Sequence, residues 1–93
     1  MELDPLIHQA TRLRVMALLA RNREAPFTWM QETLGLTPGN LDSHVQRLVE
    51  AGYVHQWRAL TASGFQSRVR LTPEGDAAYR AYLAALRAVL EGA

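Results

Sequence analysis

Gly39, Asn40, Ser43, Gln46 and Arg47 fall within nine residues and carry amides, a hydroxyl and a guanidinium. Groups of this kind read the edges of DNA bases, Gln and Asn suiting adenine and Arg suiting guanine. At about 100° per residue, a helix gathers this set with Glu50 on one arc and turns Leu41, Val45, Leu48 and Val49 to the other. One face is core; the other is free to meet a partner. Thr37 caps the helix with Pro38 in its first turn, so unpaired N–H groups near Thr37 to Gly39 suit a DNA phosphate. Asp42 lies in the same stretch, where it repels phosphate unless it accepts from a cytosine amino group or pairs with a neighbouring Arg.

A second set is basic. Ten basic residues, all Arg, against nine acids give a net charge of +1, too balanced to announce a polyanion partner. The distribution says more: residues 51 to 73 contain Arg58, Arg68 and Arg70 and no carboxylate. These three predict a basic rim that contacts phosphates.

Other chemistries lack their residues. His8, His44 and His55 come from three separate elements without a carboxylate cluster, which argues against a metal site. Ser43 and His44 are helix neighbours that point to different faces, so they form no nucleophile and base pair. With no cysteine, no lysine and no Gly-rich phosphate loop, neither an enzyme nor a cofactor is expected. His44 reads as a hydrogen-bonded boundary residue, Trp29 and Trp57 as core or interface anchors, and Phe65 as a packing residue folded back on Trp57.

The elements that must position these groups follow from local signals. Asp4-Pro5 predicts a helix start, with Leu6, Ala10, Leu13 and Ala17 at helical spacing to about Arg21 and Thr11 as a possible second cap. Asn22 to Pro26 reads as a polar connection. Thr28 and Gln31 have capping-box spacing for a short helix over 28–34, stopped by Gly35. After the helix that begins at Thr37, Gly52 ends it and residues 53–60 form a strand. Thr61 to Gly64 turns the chain into a second strand over 67–71, with Val69 and Leu71 on one face and Arg68 and Arg70 on the other. Thr72-Pro73 starts the last helix, which runs to about Glu91.

Ninety-three residues, 48% apolar and 20% charged, suit one globular domain. The segment from Met1 to Pro5 carries two acids and a proline rather than an export signal. Apolar runs such as Val15 to Ala20 fall far short of the roughly 20 residues a membrane span needs, and a cytoplasmic chain is expected.

The order of two helices joined by a tight turn, a hairpin and a closing helix is that of a winged helix-turn-helix. The run FTWMQETLGLTPGNLDSHVQRLVEAGYV, ending at Val54, resembles the helix-turn-helix of bacterial transcriptional regulators of the MarR and ArsR superfamily, in particular its small single-domain winged-helix group. His8 to Met16 is similar to the Arg-containing helix start of that superfamily, and Arg70-Leu71-Thr72-Pro73-Glu74-Gly75 to its strand-to-helix junction. The resemblance spans residues 4–90. It implies a mainly α fold with a small β-hairpin: one winged-helix domain over 1–93, with the helix-turn-helix at about 28–51, the wing at about 54–71 and a dimerisation helix at about 72–91. Two departures stand out. Ala62-Ser63-Gly64-Phe65-Gln66 occupies the wing tip, where relatives place several Arg or Lys with a proline, and Gln56 replaces an apolar strand residue.

In the last helix, Tyr79, Tyr82, Leu83, Leu86, Val89 and Leu90 make a stripe broad for so small a core, which implies a partner surface. Superfamily members pair through terminal helices, and the resemblance implies a homodimer. The expected function is a sequence-specific DNA-binding transcriptional regulator, a repressor, with residues 37–51 in the major groove of a pseudo-palindromic operator and a small-molecule effector as a further possible partner. The alternative is a winged-helix module that binds another protein without DNA.

Overall fold

A computed structural model describes residues 2–92; Met1 and Ala93, the ends of the expected domain, lie outside the described residues. The elements in chain order are α1 (Ala10–Asn22), β1 (Glu24–Pro26), α2 (Phe27–Leu34), α3 (Pro38–Glu50), β2 (Val54–Thr61), β3 (Gly64–Leu71) and α4 (Pro73–Leu90). The mainly α fold with a hairpin is present, with a third strand beside it.

That strand corrects the reading of Asn22 to Pro26 as a connection. Ala25 pairs with Val69 across an antiparallel β1–β3 ladder, giving the sheet order β1-β3-β2. Ala25 is buried there, and Arg23 at φ 66° turns the chain from α1 into the strand.

The first helix also starts later than expected. Asp4 does bond the backbone as a cap would, accepting from Leu6 N through Oδ1 at 2.9 Å. The turn closes at once, because Gln9 is extended and its own side chain caps α1 by accepting from Arg12 N. Asp4 is held in place by a second bond, the Tyr53 hydroxyl donating to its Oδ2 at 2.6 Å. Thr28 is likewise no cap: α2 starts at Phe27 after an extended Pro26, so Thr28 lies inside the first turn.

The turn between α2 and α3 is fixed by backbone chemistry. Gly35 is left-handed at φ 68°, its N–H and that of Leu36 closing on the Glu32 and Gln31 carbonyls. This Schellman arrangement satisfies carbonyls that the helix end leaves free. Thr37 then caps α3, accepting from Asn40 N at 3.2 Å. Leu41, Val45 and Leu48 of α3 are wholly buried against Val15, Met16 and Leu19 of α1 and Met30 of α2. Each such side chain stabilises the fold by about 1.5–3 kcal/mol relative to exposure. The opposite face of α3 is thereby forced outward.

Candidate nucleic-acid interface

Gly39, Asn40, Asp42, Ser43, Gln46, Arg47 and Glu50 are all exposed on α3, as are Thr37 and Pro38 at its start. Beyond its own neighbours and helix backbone, no atom of the described residues lies within 4 Å of where a Cβ on Gly39 would sit, so the helix start is open to an approaching backbone. Arg47 pairs with no carboxylate among the described residues.

Gln46 is the hinge of the face. Its Nε2 donates to Gln56 Oε1 at 2.8 Å and lies 3.4 Å from Asp42 Oδ1. Gln56 Nε2 in turn donates to Ser67 Oγ at 3.0 Å. A chain of amides therefore runs from α3 across β2 to β3. Gln56, noted in the sequence only as a break in apolar pattern, is a member of the site. Nothing local reveals this, because its partner stands ten residues away on another element.

The three hairpin arginines do not form one rim. Cross-strand partners share a face of a sheet. Arg58 pairs with Ser67, which puts it on the face of Gln56, whereas Arg68 pairs with Trp57 and Arg70 with His55 on the other face. Arg68 is engaged by Glu24 Oε2 at 3.1 Å and donates to Gln66 Oε1 at 2.7 Å. Arg70 lies over the Trp57 ring at 5.7 Å, and His55 stacks on Trp57 at 5.6 Å. Phe65 does not fold back on Trp57 as expected; it lies on the opposite face with the Arg58 guanidinium 4.8 Å from its ring centroid. Trp29, read as a core or interface anchor, is 39% exposed on α2 and so lies outside the core.

Each histidine has an ordinary partner. His8 Nδ1 meets the Tyr82 hydroxyl at 2.8 Å, and His44 Nδ1 meets Arg12 Nη1 at 3.2 Å. Arg12 is the one buried charged side chain among the described residues, and it also donates through Nε to the Leu6 carbonyl. A guanidinium only donates, so His44 accepts through Nδ1. Burial, then the Arg12 and Arg47 guanidinium charges, holds the His44 pKa below its ordinary value. His44 thus fastens the back of α3 to α1 while the front remains free. Among the described residues no His, Asp and Glu cluster could hold a metal.

On α4, Tyr82 is only 2% exposed and packs into the core, so it does not belong to the uncovered stripe. Tyr79 and Leu86 also lean on the core, while Leu83, Val89 and Leu90 are exposed. No helix among the described residues is long and apolar enough to cross a membrane.

The winged helix DNA-binding domain family matches residues 11–90. The chain belongs to this family. A transcriptional regulator homologue from Pyrococcus horikoshii OT3 superposes on the winged helix with a TM-score of 0.89 at 36% identity, over 94% of this chain and 86% of that one. A MarR-family transcriptional regulator from Enterococcus faecalis V583 does so with a TM-score of 0.78 at 25% identity, over 92% and 76% of the two chains. An uncharacterized protein of Methanocaldococcus jannaschii is 27% identical over 78 residues, 84% of this chain and 85% of its own. This winged-helix chain is a DNA-binding transcriptional regulator rather than an enzyme, and its partner is double-stranded DNA.

Proposed function

We propose that the chain is a sequence-specific repressor that binds a pseudo-palindromic operator as a homodimer, with α3 in the major groove. The observation that carries this reading is the bare polar face of α3, joined through Gln46, Gln56 and Ser67 to the wing. Asn40, Ser43, Gln46 and Arg47 supply base contacts, with Asp42 accepting from a cytosine amino group. Thr37, Pro38 and Gly39 bring the helix start against a phosphate. The dimer forms through α4, where Leu83, Leu86 and Leu90 line an open groove between Arg80 and Arg87. Two copies paired there set their α3 helices for successive major grooves about 34–36 Å apart. A dimer that covers both grooves blocks other proteins from the same DNA, which makes repression the natural output. Its place of action is the cytoplasm, where the operator lies.

The test is a fluorescence-anisotropy titration of the full chain with genomic DNA fragments at two salt concentrations, followed by a duplex that the wild type selects from a randomised pool. Affinity should fall steeply with salt. Arg47→Ala and Gln46→Ala should each weaken binding to the selected duplex by about 1–3 kcal/mol. Both side chains are exposed, so the melting midpoint should not move. Undiminished affinity in both variants would remove α3 from the reading role. In sedimentation, the wild type should be dimeric at micromolar concentration and Leu83→Glu monomeric; Leu83 is chosen because it is exposed and its loss leaves the core intact. A monomeric wild type with full affinity for a half-site would sink the dimer.

A further inference from the structure

The two residues that close the β2–β3 ladder before the turn are Leu60 and Phe65, a cross-strand pair on the face of Gln56 and Arg58. They are 75% and 66% exposed, although both are large and apolar. Nearer the base of the hairpin the same face holds Val54 and Val69, which are buried in the core. The alternation that builds the core therefore continues past the core edge, and Leu60 and Phe65 project with no helix to cover them.

The tip is built to hold them still. The turn spans only Ala62 and Ser63, and Thr61 Oγ1 donates to the Gly64 carbonyl at 2.6 Å. Gly64 takes φ 116°, which side-chain-bearing residues rarely adopt, so a glycine suits the point where the chain leaves the turn. The Arg58 guanidinium 4.8 Å from the Phe65 ring adds a cation–π contact.

We propose that the Leu60–Phe65 pair is an apolar wedge that enters the minor groove beside the major groove read by α3, unstacks a base step and bends the operator. The proposal rests on α3 as the reading helix. Continuity supports it: Gln56 bonds Gln46 of α3, and Gln56, Arg58 and Leu60 alternate outward along one strand face. Four residues of strand carry the tip about 13 Å beyond Gln56. Neighbouring major and minor grooves are centred about 17 Å apart, half a helical repeat of about 34 Å. The charge agrees as well. Arg58 beside the wedge meets phosphate or the groove floor, and no carboxylate between residues 51 and 73 opposes it. Side chains of the Phe and Leu type unstack base steps in minor-groove binders and bend the duplex toward the major groove.

The experiment uses the full chain and the duplex that the wild type selects from a randomised pool, with 2-aminopurine placed in turn at successive steps flanking the α3 contact. End-to-end energy transfer on the same duplex reads the bend. Wild type should raise 2-aminopurine fluorescence at one flanking step and shorten the end-to-end distance. Leu60→Ser with Phe65→Ser should abolish both signals and weaken binding by about tenfold, a change that the dissociation rate will carry. The salt slope and melting midpoint should stay as in wild type, because neither side chain is charged or buried. Phe65→Leu should restore the signals, since apolar bulk and not the aromatic ring is required. A wild type that binds its duplex with no fluorescence rise overturns the wedge alone. So does a double variant that binds and bends as wild type, which leaves the apolar tip to a protein or membrane surface. A wild type with no salt-sensitive duplex binding overturns the α3 reading and the wedge together.

Discussion

On the hairpin face that carries Gln56 and Arg58, polar groups reach toward α3 and toward open solvent; on the face that carries Trp57 and Arg70 they are turned on one another. Arg68 is occupied by Glu24 and Gln66, and Arg70, although exposed, lies on that same face over the Trp57 ring. Three arginines within a span of thirteen residues lie on two faces of the hairpin, and charge does not separate them. Strand parity does: Arg58 differs from Arg68 and Arg70 in its register across the β2–β3 ladder. A basic stretch is therefore a poor guide to a phosphate-binding surface until the register is known.

The strongest way to break this comparison is to detach the hairpin from the helix that anchors its base. A Cβ added at Gly75 would lie 1.9 Å from the Tyr53 carbonyl oxygen and 2.7 Å from its carbon. Both are backbone atoms just before β2, and the same carbonyl accepts from Thr72 N at 3.1 Å. Gly75→Ala must therefore push α4 off the hairpin. It should cost about 3 kcal/mol, at the upper end for overpacking, measurable as a drop in denaturant midpoint. An unchanged midpoint would mean that the junction is not the constraint its geometry implies.

A smaller effect sharpens the comparison between the faces. Arg58→Ala should reduce the magnitude of the salt slope of DNA binding by about one unit across all sequences. Arg70→Ala should leave the slope unchanged. Arg68→Ala should also leave the slope, but cost up to about 1 kcal/mol of stability through its partly exposed ion pair with Glu24. Titrations at three or four salt concentrations decide it; equal flattening by all three changes would show that both faces meet phosphate.

What the sequence made legible follows the same division between local and distant causes. Thr37-Pro38 and Thr72-Pro73 announce α3 and α4 correctly because a cap and its helix lie within four residues of each other. The exposed arc of α3 is legible from its period. The strand β1 is not, since three residues, Glu24 to Pro26, show no period and their pairing partner lies more than forty residues on. Asp4 and Thr28 mislead for a related reason: each has the right side chain for a cap, but extended Gln9 and Pro26 fix where the helices begin. Tyr82 shares the stripe of Leu83 and Leu86, and its turn inward to the core and His8 depends on residues far away in the chain. Gln56 and the split of the arginines needed the hairpin register.

The smallest effect concerns the rear of α3, whose fixed position lets its front be free. His44 accepts from Arg12 through Nδ1, so the bond needs the neutral ring. Burial first, then the charges of Arg12 and Arg47, lowers its pKa in the folded chain. The unfolded chain, with the ordinary value near 6.5, then binds a proton that the folded chain refuses. Stability is accordingly full above about pH 6.5 and declines as pH falls from there toward the lowered folded value. His44→Gln keeps an oxygen acceptor for Arg12 and removes the titration. Between pH 7.5 and 5.5 the melting midpoint of the wild type should therefore drop further than that of His44→Gln. Parallel drops in the two proteins would assign the acid sensitivity to other groups and leave the Arg12–His44 contact as packing alone.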